Sequence, residues 1–368
     1  MKSPIVARPR FITSHASLRG LAAICIVFYH LTEIYPGGLW YRSFAPFSRG
    51  YLFVEMFFIL SGFVIAYVYV RDRTSPMSMA EIGKFLRARF VRLFPLNLFV
   101  LAALVVIGVG IELFAERVGL AYPEQFTAKR WHYLGTNLLL VQAWDWAPGD
   151  WNFPAWSVST ELQVYFAFPL MLYGLLKFPR LTVLALSIVA VTFFGYVWLV
   201  SKDINYFTQM GIVRCLAGFC LGVLIYRYRH WPQRLSETQY SWLQMITLGG
   251  MAAVFWFSLN DAYAVLPFVA LTMLTWEDRG VLGRALNQKA GLLLGELSYA
   301  IYLVHTPVIN TLWPIYEKWI PMTGLPPQLT AVLWVGIVLL LVLWLAFLLH
   351  IGVEKPVGRW YARRKAKA

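Results

Sequence analysis

Residues 18–35 read LRGLAAICIVFYHLTEIY. The stretch is apolar enough to enter a bilayer as a helix, yet it carries Arg19, His30 and Glu33. Charged and imidazole groups are costly in hydrocarbon and tend to mark function. The eleven-residue step from Arg19 to His30 takes an α-helix through nearly whole turns, so the two share one stripe, roughly 16 Å apart along the axis. That separation suits the two ends of one long ligand rather than a salt bridge. Glu33 lies three residues beyond His30 on nearly the same face, where a carboxylate could hold one ring nitrogen and leave the other as a base. The alternative is an arginine that snorkels to the headgroups and a histidine bonded to a neighbouring helix.

Working outward, nine more apolar stretches follow: 51–71, 94–115, 156–176, 181–200, 208–226, 241–259, 264–276, 291–312 and 329–350. The 264–276 piece is short and borrows from its flanks. The chain has 368 residues, 59% hydrophobic and 14% charged, with a mean hydropathy of +0.61. These values predict an all-α polytopic membrane protein of about ten transmembrane helices. No polar linker divides it, so the reading is a tail over 1–17, one transmembrane domain over 18–350 and a basic tail over 351–368. Residues 1–17 are polar and basic, and no small-residue cleavage site follows the first apolar run; they read as a cytoplasmic tail before an uncleaved helix. Cys25, Cys215 and Cys220 lie within apolar stretches without metal-ligand spacing and read as small hydrophobes; no metal site is expected.

Trp131–Trp144 is ambiguous, and positive charge decides it. If it does not cross and the N-terminus is inside, cytoplasmic segments hold 23 Lys and Arg against 7 outside. If it crosses, Arg227, Arg229, Arg234 and the C-terminal cluster face outward. Ten spans with both termini cytoplasmic is therefore the better arrangement, with 116–155 as one extracytoplasmic excursion. The net charge of +14 is then an orientation device, and no basic stripe with interleaved aromatics remains for nucleic acid. Pro95, Pro169, Pro267 and Pro307 fall near span ends without symmetry between halves, which argues against a secondary transporter.

Four other groups carry polar chemistry. Ser61 and Gly62 in FFILSGF let helix backbones approach closely. Arg87, Arg89 and Arg92 enter the third span from the cytoplasm, where arginine forks suit phosphate or anionic lipid. Glu161 in WSVSTE lies just inside the fourth span from the outside and needs a partner or a wet cavity. Ser298, Tyr302 and His305 share one helical face, and His305 reaches roughly the depth of His30. His30, Glu33, Glu161 and His305 thus project to the outer half and the arginines to the cytoplasmic side. Together they outline a cross-membrane group-transfer site. In the excursion, Trp144 and Trp151 with Asp145 suit sugar rings, or form an interfacial belt.

These motifs, in this order, resemble the acyltransferase 3 family of integral membrane acyltransferases. The matching residues are Arg19 with His30, Phe57–Ile65, Arg89-x-x-Arg92-x-x-Pro95, Trp156–Glu161 and Gly295–His305. Val158 stands where the family more often has Leu. The resemblance is to the type without a fused esterase-like domain. It implies ten membrane helices in a bacterial inner membrane, an acyl-CoA donor (usually acetyl-CoA) used as substrate with no permanently bound cofactor, and a hydroxyl acceptor on a surface or lipid-linked glycan such as exopolysaccharide or O-antigen. It also implies that His30 is the catalytic histidine, that Arg19 supports the donor or the helix, and that Arg89 and Arg92 sit at the CoA mouth. Direct transfer with His30 as base and transfer through an acyl-histidine both fit. The competing function is a transporter or flippase of a lipid-linked saccharide or small metabolite.

Overall fold

The computed structural model describes residues 11–34, 45–117, 128–144, 151–319 and 324–367. Among these the chain is helical throughout, with no strand. The helices are α1 (Thr13–Ile34), α2 (Ala45–Ser48), α3 (Phe53–Tyr69), α4 (Met79–Arg117), α5 (Ala128–Leu138), α6 (Ala155–Lys177) and α7 (Pro179–Tyr196). They continue with α8 (Gln209–Tyr228), α9 (Glu237–Trp256), α10 (Ala262–Thr275), α11 (Gly280–Leu286), α12 (Lys289–Trp319), α13 (Pro327–Leu349) and α14 (Lys355–Lys367). Each apolar stretch read from the sequence lies on a helix of its own. Six of the helical segments are long and apolar enough to cross a membrane by length and composition. The protein is a multi-pass membrane protein.

Glycine sets the two closest seams. α1 packs along α12 and α3 along α8. A Cβ added at Gly295 would strike the Ala16 carbonyl, and one at Gly62 the carbonyl of Phe219. Without a hydrophobic drive between helices in lipid, such close backbone approach supplies the packing. The N-terminal turn of α1 is pinned as well. Ser17 Oγ donates to the Leu286 carbonyl at 2.6 Å, and His15 Nε2 lies 2.9 Å from the Thr272 carbonyl. Ser17 is thus a fastener to α11.

Two elements differ from the sequence expectation. α4 starts at Met79, well before the apolar run at 94, because Ser78 and Glu81 form a capping box: Ser78 N–H donates to the Glu81 carboxylate at 2.9 Å and Glu81 N–H to Ser78 Oγ at 3.3 Å. At 39 residues it runs roughly 58 Å, far beyond an apolar layer of about 30 Å. Arg87, Arg89 and Arg92 therefore ride a rigid helix. The ambiguous piece becomes α5, 11 residues or roughly 17 Å long, then a left-handed residue at Leu140 (φ +54°) and a single turn over Gln142–Trp144. It is too short to be one continuous spanning helix.

Candidate active site

α1, α3, α4, α6 and α12 surround a cavity of about 310 Å³. Arg19, Arg89 and Arg92 line it, and Arg89 Nε is buried without a hydrogen-bond partner. The Arg89 guanidinium stands 6.0 Å from the Tyr165 ring centroid. Beside Arg89 runs a short polar chain. Tyr165 Oη donates to Glu161 at 2.6 Å and lies 3.0 Å from Ser61 Oγ. The rest of the wall is apolar, with Phe57, Leu60, Val64 and Leu93 among its residues.

A second cavity of about 130 Å³ lies toward the C-terminal end of α1. His30 and Glu33 line it, with His30 Nδ1 3.2 Å from Glu33 Oε2. Glu33 Oε1 also accepts the Tyr29 hydroxyl. The carboxylate therefore fixes ring orientation and tautomer, and Nε2 is the nitrogen left for proton transfer. The His305 ring lies 5.1 Å from that of His30, fully buried, with its Nε2 unpartnered.

Tyr302 lines both cavities. Its hydroxyl accepts Ser157 Oγ–H at 2.8 Å, and its ring lies 5.7 Å from Phe57 and 5.7 Å from His305. The way from the arginines to His30 thus passes one phenol. Ser298, one turn earlier on α12, lines the first cavity and donates to the Gly295 carbonyl at 2.8 Å.

The structure brings Arg19, Arg89, Arg92, Ser61, Ser298 and Tyr302 to the first cavity and His30 with Glu33 to the second. Four expected members fall elsewhere. Glu161, expected beside His30, faces the arginine cavity, because α6 begins at Ala155 and carries it about 9 Å down the helix, where Tyr165 at i+4 meets it. Arg87 is exposed and lines neither cavity, since two residues along a helix turn it away from Arg89. Trp151 is buried against Leu101 and Tyr133 and lines neither cavity. Trp144 is exposed and donates Nε1–H to Gln163 at 2.6 Å, away from both cavities. Asp145 lies outside the described residues.

Sequence reasoning missed the charged groups beneath His30. Arg214 on α8 and Glu55 on α3 form a fully buried ion pair, with Arg214 lining the second cavity. Its other nitrogens donate to the carbonyls of Tyr206 (3.2 Å) and Tyr51 (3.3 Å). Arg49 pairs with Asp261, which also accepts Tyr51 Oη–H at 2.9 Å and Ile204 N–H at 2.9 Å. A lone glutamate inside the second apolar stretch was the available signal for Glu55. Tyr165, four residues past Glu161, was open to the same helical arithmetic.

The profile of an acyltransferase domain, Acyl_transf_3, matches residues 17–351. The O-acetyltransferase OatA of Staphylococcus aureus is 24% identical over 82% of this chain and 51% of its own length. The peptidoglycan O-acetyltransferase OatA of Listeria monocytogenes is 23% identical over 84% of this chain and 51% of its own. The acyltransferase MdmB of Streptomyces mycarofaciens is 29% identical over 72% and 69%. The chain spans about half the length of the OatA relatives it matches. No solved structure matches significantly. A profile match over nearly the whole helical core, on a chain whose arginines and histidine occupy two adjoining cavities, means that this chain belongs to the acyltransferase 3 family.

Proposed function

We propose that this protein is a bacterial inner-membrane O-acyltransferase. It moves an acyl group, acetyl in the first instance, from cytoplasmic acyl-CoA to a hydroxyl of an extracytoplasmic or lipid-linked glycan such as exopolysaccharide or O-antigen. The observation that carries this reading is the pair of cavities meeting at Tyr302, one lined by three arginines and the other by the His30–Glu33 pair. Arginine forks suit the donor phosphates. An extended pantetheine arm is of the same order as the roughly 16 Å between Arg19 and His30. The OatA relatives carry O-acetyltransferase in their names, which favours a glycan acceptor.

In this reading His30 Nε2 takes the proton of the acceptor hydroxyl as its oxygen attacks the thioester carbonyl. The C–S bond breaks, CoA leaves as the thiolate, and the proton held by His30 passes to that sulfur. Glu33 holds the imidazole in the required tautomer and offsets the charge it acquires. The topology that goes with it has ten spans and both termini inside, which the excess of Lys and Arg on segments such as 227–240 supports.

The test is incorporation of label from acetyl-CoA into surface glycan by cells or vesicles containing the protein, read by mass spectrometry. A transporter or flippase would leave the glycan mass unchanged. Acetyl label retained on His30 with donor alone would replace direct transfer by the acyl-histidine route. A cysteine placed at 234 should resist an impermeant reagent in intact cells; labelling there would overturn the ten-span topology.

A further inference from the structure

Arg92 borders a further cavity as well as the first. This third cavity, of about 200 Å³, lies between α4 and α14. Its other polar groups are Glu354 and Tyr361. Glu354 is held by His350 Nδ1 at 2.8 Å, and Tyr361 Oη reaches the Lys84 carbonyl at 3.5 Å. Gly358 lines the same space, and a Cβ added there would meet nothing within 4 Å. α14 also carries Lys355, Arg359, Arg363 and Arg364, none of which lines the cavity; Lys355 lies 3.8 Å from Glu296 and Arg364 stands over the Trp360 ring.

We propose that this third cavity is the subsite for the nucleotide end of the acyl donor, with Tyr361 as the ring against which the base stacks. The inference rests on the donor reading above and goes beyond it. The order of environments along the path carries the argument. Between Tyr302, shared with the histidine cavity, and Arg92, shared with the third, the first cavity holds an apolar wall, the Ser61–Tyr165–Glu161 hydrogen-bonding chain and the arginines; past Arg92 lie an aromatic ring and a carboxylate. A CoA thioester presents the same sequence of demands: a reactive end, an arm of methylenes and amides, a pyrophosphate, then a base and a phosphorylated ribose. Arg92 stands at the junction of the two cavities, where the pyrophosphate would lie. Glu354 offers an acceptor to ribose hydroxyls or a ring amino group, and Arg92 is the cation of this cavity. A donor consisting of phosphopantetheine alone would leave this cavity without a role.

The experiment measures equilibrium binding of CoA and of 4′-phosphopantetheine to the full chain in phosphatidylcholine nanodiscs, which keep anionic headgroups out. The parent should bind CoA more tightly than phosphopantetheine by about tenfold, the size of one base–aromatic stack. Tyr361→Ala and Gly358→Leu should each bring CoA down to the affinity of phosphopantetheine and leave phosphopantetheine unchanged. Leucine at 358 occupies open space and improves helix propensity, so that variant retains the fold. Unchanged CoA affinity in both variants, or equal losses for both ligands, overturns the subsite. A parent that binds neither ligand overturns the donor reading itself.

Discussion

The arginine and histidine cavities adjoin, yet they treat charge in opposite ways. Around His30 the charges are matched inside the protein: His30 with Glu33, Arg214 with Glu55, Arg49 with Asp261. In the arginine cavity, Arg19, Arg89 and Arg92 form no ion pair with a carboxylate among the described residues, and Arg89 Nε has no partner at all. Arg92 is exposed and Arg19 and Arg89 are half-buried, and a half-buried cation without a counter-ion gains from a ligand that brings one. The first cavity offers unpaired cations to an anion, whereas in the second each charged side chain has a partner and Glu33 holds the imidazole. A single helix, α1, supplies Arg19 to one cavity and His30 to the other, so in the proposed reaction it carries both binding and chemistry.

The comparison can be broken most sharply at His30. His30→Ala should lower transfer by about 10²–10⁴-fold, the scale of a lost general base, with thermal unfolding and CoA binding near those of the parent. Full turnover in well-folded His30→Ala protein would sever the histidine cavity from the chemistry. The next effect is on stability. Removing one member of a buried pair strands the other, so Glu55→Ala should cost about 3–5 kcal/mol, seen as a large drop in the unfolding temperature in detergent. Arg89→Ala should hardly move that temperature, because no internal partner is left behind. Equal destabilisation by the two would erase the distinction drawn here.

Arg89→Lys sharpens the same contrast on the binding side. Lysine keeps the charge but loses the fork, so CoA affinity should fall by about tenfold while turnover recovers at saturating donor. A fall in turnover that donor cannot restore would assign Arg89 to the chemistry instead. The smallest effect belongs to a surface pair outside the spans. Arg279 Nε donates to Glu237 at 2.7 Å, and this bond, with Gly280 N–H, holds the Glu237 carboxyl below its ordinary range. A depressed carboxyl stabilises the fold above its ordinary pKa, and the contribution is lost as pH falls through the folded value. Glu237→Gln should therefore lower the unfolding temperature slightly near neutral pH, with the difference from the parent vanishing in acid.

What could be read in advance follows from the helix repeat. The positions of the apolar helices, the shared stripe of Arg19 and His30, the His30–Glu33 pair and the common face of Ser298 and Tyr302 all concern residues on one helix. There, spacing fixes angle and depth. Glu161 failed for a related reason. Its depth follows from where α6 begins, but which neighbour it faces depends on the packing of α6 against α4 and α8. For Trp151 the sequence left a sugar platform and an interfacial belt open, because aromatic residues near span ends serve in both, and only the structure places it against Leu101 and Tyr133.

The sequence by itself thus determined the all-helical membrane class, the apolar helices, the family and the placing of Arg19, His30 and Glu33 along α1, because hydropathy and periodicity are local and survive without knowledge of neighbours. The tertiary structure alone decided the pairing of Glu55 with Arg214, 159 residues apart, the junction of two cavities at Tyr302, and the contact of α14 with the arginine helix. Those depend on which helices touch. In a bilayer that choice is made by close packing at glycines such as Gly62 and Gly295, and by buried charges finding partners, neither of which leaves a periodic mark on the chain.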